Sequence, residues 1–255
     1  MNEQLDLTGA VAVVTGAGRG LGRAFALALG SAGAAVCVAD IDGDSADRVA
    51  QEISTTGGKS LASTVDVANQ QAVERMVDQV IEILGPVRVL INNAALFAEL
   101  EMRPFESITT EEWDAVMAVN VRGAFYCSRA VVPSMAEQTY GKIINMSSGT
   151  VWNGRPGYLH YVTSKMALIG LTRGLANELG PRGIRVNAVT PGATRTEVGR
   201  KTMSEERYQV VARQTALGRV GVTEDLVGVI MFLASPASDF ITGQVLNVDG
   251  GRAFR

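Results

Sequence analysis

The sequence predicts a three-layer α/β fold, a seven-stranded and mainly parallel sheet with helices on both faces. Three observations carry that expectation. Short apolar runs alternate with longer amphipathic ones along all 255 residues. The first runs are near-continuous Val and Ala, as strands buried on both faces require. No Pro/Gly/Ser linker, charge run or internal repeat divides the chain, so one domain over 1–255 is expected.

The elements follow in order. "AVAVVTG" (10–16) reads as the first strand, and residues 20–31 as the helix that its glycine-rich turn opens. "AAVCVAD" (34–40) and "KSLASTVDV" (59–67) are strands flanking a helical stretch at 45–56. Helical periodicity returns at 70–84, before the strand "VRVLINNA" (87–94), and again at 111–136, before "KIINMSS" (142–148). A helix over 161–179 leads to "IRVNAVTPG" (184–192), and a helix over 223–234 leads to "GQVLNVDG" (243–250). Residues 195–215 break the alternation. They are polar and long for a connection, and read as either an extra helical excursion or a mobile lid over a substrate site.

Composition excludes several classes. The net charge of −3 and scattered arginines give no basic field for nucleic acid or an anionic membrane. The most apolar window, Phe25 to Ala39, is 15 residues and is broken by Gly30, Ser31 and Gly33, too short to cross a bilayer. The start "MNEQLDLTGA" lacks the basic-then-apolar pattern of a secretory signal, so a cytoplasmic protein is expected. Cys37 and Cys127 sit in apolar runs without metal or redox spacing and read as reduced core residues. With one histidine and no cysteine cluster, no metal is expected.

"TGAGRGLG" (15–22) follows the first strand and opens a helix. Glycines there allow a tight turn and close approach to a pyrophosphate, which the free N–H groups of a helix start attract. The spacing is T-G-x-x-x-G-x-G, because Arg23 stands where a third glycine would complete the commoner fingerprint. Asp40 ends the second strand, 18 residues after Gly22, where a carboxylate can accept the ribose hydroxyls of an adenosine. Its charge opposes a 2′-phosphate and so favours NAD over NADP, while Arg19 argues for NADP. A helix cap or solvated strand end is the other reading of Asp40.

"YLHYVTSKMA" (158–167) places Tyr161 four residues before Lys165, in a chain with only four lysines. On a helix that spacing puts both on one face. These motifs together resemble the short-chain dehydrogenase/reductase family, in its single-domain branch, over nearly the whole chain. The matches are Thr15 to Gly22, Asp66-Val67, "NNAA" at 92–95, Asn120, "SS" at 147–148, "YVTSK" at 161–165 and "PGATRT" at 191–196. The resemblance implies a Rossmann fold and an NAD(P)-dependent oxidoreductase acting on a small-molecule alcohol or ketone. It implies Tyr161 as general acid/base, Lys165 as the cation lowering its pKa, Ser148 as hydrogen-bond partner of the substrate oxygen, and Asn120 as anchor of a water leading to Lys165. A free phenol titrates near pH 10, so such a neighbour is chemically required.

The same resemblance puts Thr15, Gly16, Gly18, Arg19, Gly20, Leu21 and Gly22 around the cofactor's phosphates and Asp40 and Ile41 at its ribose. It puts Asp66, Val67, Asn93 and Ala94 along the adenosine, and Pro191, Gly192, Ala193, Thr194 and Thr196 near the carboxamide, with Tyr161 and Lys165 also touching cofactor. Ala95 and Thr194 depart from the family's usual glycine and aliphatic residue. Leu96, Phe97, Val151, Trp152 and Tyr158 lie just beyond motifs framing the nicotinamide, and their apolar character suggests a hydrophobic or aromatic substrate. His160 adjoins Tyr161 but points about 100° away on a helix, which argues against acid/base work. Trp113 follows a capping signal and reads as helix packing. The family also implies a homo-oligomer, commonly a tetramer, to cover apolar residues such as Ile169, Leu171, Leu175 and Leu179. A dinucleotide sensor without catalysis would not need Asn120, Ser148, Tyr161 and Lys165 together, and a methyltransferase would need neither Ser148 nor the Tyr–Lys pair.

Overall fold

A computed structural model describes residues 5–199 and 203–254. In chain order it contains β1 (Val11–Thr15), α1 (Gly20–Ser31), β2 (Ala35–Asp40), α2 (Gly43–Thr55), β3 (Ser60–Thr64), α3 (Gln70–Ile83) and β4 (Val87–Asn92). There follow α4 (Thr110–Met117), α5 (Ala124–Glu137), β5 (Gly141–Met146), α6 (Thr150–Asn153), α7 (Leu159–Leu179) and β6 (Ile184–Pro191). The chain ends with β7 (Thr194–Arg195), α8 (Glu205–Arg213), β8 (Gly221–Val222), α9 (Thr223–Ala234) and β9 (Val245–Val248). The main sheet has seven parallel strands in the order β3-β2-β1-β4-β5-β6-β9. Strand order reverses between β1 and β4, and ligands of such sheets bind at the carboxyl ends of the strands flanking that point.

The alternation of strand side chains divides the core. Ala12 and Val14 point into one layer with Phe25, Leu29, Ile53 and Leu226, while Val11 and Val13 point into the other with Val77, Val131, Met135 and Leu179. Helix starts carry the caps their sequences offer. Asp42 accepts from the Ser45 amide and Asn69 from the Ala72 amide, and Thr109 forms a reciprocal box with Glu112.

Two expectations change. The helix over 111–136 is interrupted by a π-helical turn, Ala118–Gly123, which carries Asn120. Gly123 packs there against β3's trailing segment, where a Cβ would stand 2.8 Å from Val67 Cγ2. Ile169 and Leu179 are buried within the chain's own core, and Leu171 and Leu175 are half-buried. The 195–215 segment begins on the last residue of β7 and contains helix α8, capped by Ser204, so part of it is helical; residues 200–202 of it lie outside the described residues. No helix among the described residues is long and apolar enough to cross a membrane.

Candidate active site

The glycine loop is built by conformation and by crowding. Gly16 and Gly20 have φ of 61° and 60°, the left-handed region that favours glycine. A Cβ on Gly22 would stand 2.1 Å from the Gly16 carbonyl oxygen, so helix α1 can approach the loop only without a side chain. Thr15 Oγ1 accepts from the amides of Asn93 and Ala94, each at 3.1 Å, and Asn93 Nδ2 donates to the carbonyls of Thr15 and Gly16. These bonds lock the end of β1 to the end of β4. On the other side, Gly18 N donates to Asp40 Oδ2 at 2.8 Å and Asp42 N donates to Oδ1 at 3.0 Å, which fixes the carboxylate at the tip of β2.

A cavity of about 800 Å³ runs along these strand ends. Gly16, Arg19, Gly20, Leu21, Asp40, Ile41, Asp66, Val67, Asn93 and Ala94 line one part of it; Ser148, Tyr161, Lys165, Pro191, Gly192, Thr194 and Thr196 line another. Ile41 is 71% exposed, an apolar surface left for a ligand to cover. Thr15, Gly18 and Gly22 stand behind the loop as its support, through the contacts just given.

Helix α7 carries Tyr161 and Lys165 and is held on the sheet by a polar relay that sequence reading missed. Asn92 Nδ2 donates to Asn145 Oδ1 at 2.8 Å, and Asn145 Nδ2 donates to Thr172 Oγ1 at 2.9 Å, joining β4, β5 and α7 in the interior. Ser147 Oγ donates to the Lys165 carbonyl at 2.7 Å, and so is spent on the helix. Its neighbour Ser148 is different: its oxygen accepts from the Thr150 amide and hydroxyl, which leaves the hydroxyl proton for an acceptor in the cavity. The geometry therefore separates two adjacent serines by role.

Lys165 is almost wholly buried, and its Nζ donates to the Met146 carbonyl at 2.8 Å. Loss of hydration disfavours the ammonium and pushes its pKa down to about 7. Its Nζ lies 5.7 Å from the centre of the Tyr161 ring. That ring is stacked by Phe97, centre to centre 4.2 Å. Asn120 Oδ1 accepts from Leu96 N at 2.7 Å, and its Nδ2 donates to Ser164 Oγ at 3.0 Å. Its side chain thus ties the loop bearing Leu96 and Phe97 to α7.

Leu96 and Phe97 line the cavity. Val151, Trp152 and Tyr158 are not among the side chains that line it, which differs from the pocket expected from sequence. Tyr158 is fully buried against Phe97 and Tyr161, Val151 is nearly so, and the Trp152 indole donates to Thr190 Oγ1 at 3.2 Å. His160 is buried away from the cavity, and burial holds its pKa below the usual histidine value. Cys37 and Cys127 are buried free thiols whose pKa burial pushes up to about 12, so neither is nucleophilic near neutral pH. No group of three His, Cys, Asp or Glu suited to a metal occurs among the described residues.

One contact had no signal in the sequence. Glu197 reaches back from the segment after β7, and its Oε1 accepts from Gly20 N at 2.8 Å, at the start of α1. An anion is therefore already held where the free amides of the helix start point. The loop's fitness for a phosphate is visible in the chain's own carboxylate.

Comparison with known proteins agrees with this arrangement. A family model described as enoyl-(acyl carrier protein) reductase matches residues 16–253. A short-chain type dehydrogenase/reductase from Mycobacterium marinum superposes with a TM-score of 0.91 at 35% identity, covering 99% of each chain. The chain belongs to the short-chain dehydrogenase/reductase family. A 3-oxoacyl-(acyl-carrier-protein) reductase of Thermotoga maritima is 37% identical over 96% of this chain and 98% of its own. A 7α-hydroxysteroid dehydrogenase solved with NADH and 7-oxo glycochenodeoxycholic acid superposes at TM-score 0.93 and 33% identity, covering 98% of this short-chain dehydrogenase/reductase and 97% of that chain. The family membership makes this protein an oxidoreductase of the kind that uses a nicotinamide dinucleotide.

Proposed function

We propose that the protein interconverts a secondary alcohol and its ketone with a nicotinamide dinucleotide, preferably NAD. The observation that carries this reading is the single cavity shared by the glycine loop, Asp40, Ser148, Tyr161 and Lys165. The glycine loop and the α1 start would hold the pyrophosphate, Asp40 the adenosine ribose, and Ile41, Asp66 and Val67 the adenine. When bound, the nicotinamide supplies or accepts the hydride. The chain's own part is to hold the substrate oxygen on the Ser148 hydroxyl and to move a proton through the Tyr161 hydroxyl. Burial of Lys165 beside Tyr161 supports the proton step, because a cation there favours phenolate and a lysine titrating near 7 can exchange its own proton. Asn120 acts as a positioning residue through Leu96 and Ser164. The preference for NAD rests on the Asp40 carboxylate, whose two backbone hydrogen bonds fix its charge where a 2′-phosphate would have to sit.

Initial rates with NAD and NADP, each against secondary alcohols from small aliphatic to aryl, test the reading. Faster turnover with NAD is the expected result. Faster turnover with NADP would give the ribose site to Arg19 and favour a biosynthetic ketone reductase. No turnover with any member would favour the non-catalytic reading.

Glu197 adds a second expectation. A phosphate at the α1 start must displace its carboxylate from Gly20 N or sit beside a like charge. Glu197→Gln should therefore tighten binding of NAD about two- to fivefold, the range set by one anion at a helix start. Calorimetric titration of the substrate-free protein reads this without turnover. Unchanged or weaker binding would mean that Glu197 leaves the phosphate path unaided.

A further inference from the structure

Thr150 lines the same cavity as Ser148 and Tyr161 and opens the short helix α6. Its Oγ1 donates to Ser148 Oγ at 3.0 Å, and its amide donates to the same oxygen at 3.3 Å. A serine hydroxyl has two acceptor lone pairs and one proton. Thr150 fills both lone pairs, so the proton is what Ser148 Oγ has left for a third partner. The adjacent Ser147 has no such arrangement, because its hydroxyl is given to the Lys165 carbonyl.

The turn that places these groups is held by backbone, independently of the threonine side chain. Gly149 N donates to the Pro191 carbonyl at 2.8 Å, Val151 N to the Ser148 carbonyl at 3.1 Å, and Gly154 N to the Thr150 carbonyl at 3.0 Å. A Cβ on Gly149 would stand 3.1 Å from that Pro191 oxygen, so the turn sits tightly on the end of β6. The Thr150 hydroxyl is therefore free to serve the chemistry. Hydride transfer to a ketone builds negative charge on its oxygen, and transfer from an alcohol passes through the same charge. In both directions Ser148 helps only as a donor. A donor fixed beforehand needs no reorganisation as that charge develops. A hydroxyl that accepts a hydrogen bond is also polarised, which strengthens the bond it gives.

We propose that Thr150 is a positioning residue for the reaction: its hydroxyl and amide hold Ser148 as a hydrogen-bond donor toward the substrate oxygen. This deepens the dehydrogenase reading and rests on it for the identity of that oxygen. Thr150 acts through Ser148, which separates it from a residue that merely shapes the pocket. A pocket contact would show in KM and persist without the serine, whereas the relay disappears with the serine.

The test is a double-mutant cycle read by kinetics and by infrared spectroscopy. Acetophenone, cyclohexanone and ethyl acetoacetate serve as ketones, with NADH and NADPH each supplied. Thr150→Val should lower kcat about three- to tenfold, the worth of one neutral hydrogen bond, with KM within about twofold of the parent. Thr150→Ser keeps the hydroxyl and should stay within about twofold of the parent in kcat. Ser148→Ala should lose about a hundredfold, as for a lost oxyanion donor. Adding Thr150→Val to Ser148→Ala should change kcat by less than about 1.5-fold, because the two act as one unit. The same loss from Thr150→Val in both backgrounds, or a loss confined to KM, overturns the proposal. So does a kcat that holds or rises in Thr150→Val, since Ser148 would then be giving its proton to Thr150. Isotope-edited infrared spectra of each ketone bound with oxidised NAD or NADP, which have no hydride to give, read the donor without turnover. The carbonyl band should move to lower frequency in the parent, move less in Thr150→Val, and coincide in Ser148→Ala and the double variant. A Thr150-dependent shift without turnover keeps the relay and sinks the dehydrogenase; turnover with additive variants does the reverse. No shifted band for any of the three ketones in the parent overturns the proposal.

Discussion

Replacing Tyr161 with phenylalanine is expected to lower kcat by about a thousandfold, within the range general acid–base catalysis supplies. The substitution removes one oxygen and keeps the ring. The stack of that ring on Phe97 and its edge contact with Tyr158 are retained, so the cavity keeps its shape. NAD affinity by calorimetry should stay within about threefold of the parent, since the bulk of the dinucleotide's contacts lie on the glycine loop and Asp40. A thousandfold loss corresponds to about 4 kcal/mol of transition-state stabilisation. The neighbouring Ser148 cannot replace the phenol as acid, because an aliphatic hydroxyl is far less acidic still. Should the variant keep more than about a tenth of the parent's kcat with unchanged cofactor affinity, the proton must travel by another group, and the role given to Tyr161 falls.

The layers of this fold were legible because strand and helix periodicity differ so clearly in this chain. The alternation in "AVAVVTG" places Ala12 and Val14 on one face and Val11 and Val13 on the other, as the core clusters show. Periodicity could not reveal the π-helical turn at Ala118–Gly123. One extra residue in a turn leaves the apolar pattern on either side nearly intact, and only the contacts of Asn120 and Gly123 record it. The candidate site divides in the same way. Tyr161, Lys165, Ser148 and Asp40 stand at fixed spacings from glycines and strand ends, and such spacings can be read. Trp152 and Tyr158 misled because adjacency along the chain is not adjacency in space: the turn after α6 sends Tyr158 inward beneath Arg155, and the indole of Trp152 bonds back to Thr190 on β6. Glu197 had no motif to announce it. It meets Gly20 only after the chain has folded, across 177 residues.

Lys165 should make the stability of the protein depend on pH in a direction opposite to that of a lysine held in an ion pair. In the folded chain its pKa is pushed down to about 7 by burial, against the ordinary lysine value of 10.5. Between those two values the unfolded chain binds the proton and the folded chain does not, so stability rises with pH across this window. Below pH 7 both states are protonated, and the folded state bears the whole cost of a buried ammonium. Above about pH 10.5 both are neutral and the cost is gone. Lys165→Met removes the charge at similar length, so the variant should be more stable than the parent at pH 6. The full shift is worth at most about 4–5 kcal/mol at about 1.4 kcal/mol per unit. Loss of the bond from Nζ to the Met146 carbonyl, which leaves that oxygen unpaired, takes back about 1–3 kcal/mol. A net advantage of about 1–4 kcal/mol at pH 6 should therefore decline through pH 7 to 10 and change sign once the ammonium cost has disappeared. Equilibrium urea unfolding of both proteins at pH 6, 7, 8, 9 and 10 measures the difference, in which distant titrating groups cancel. Parallel stability curves would show that Lys165 does not titrate in this window. A lysine that stays charged through it could hold a tyrosinate beside it but could not relay its proton near neutral pH, so the same experiment decides which part Lys165 plays next to Tyr161.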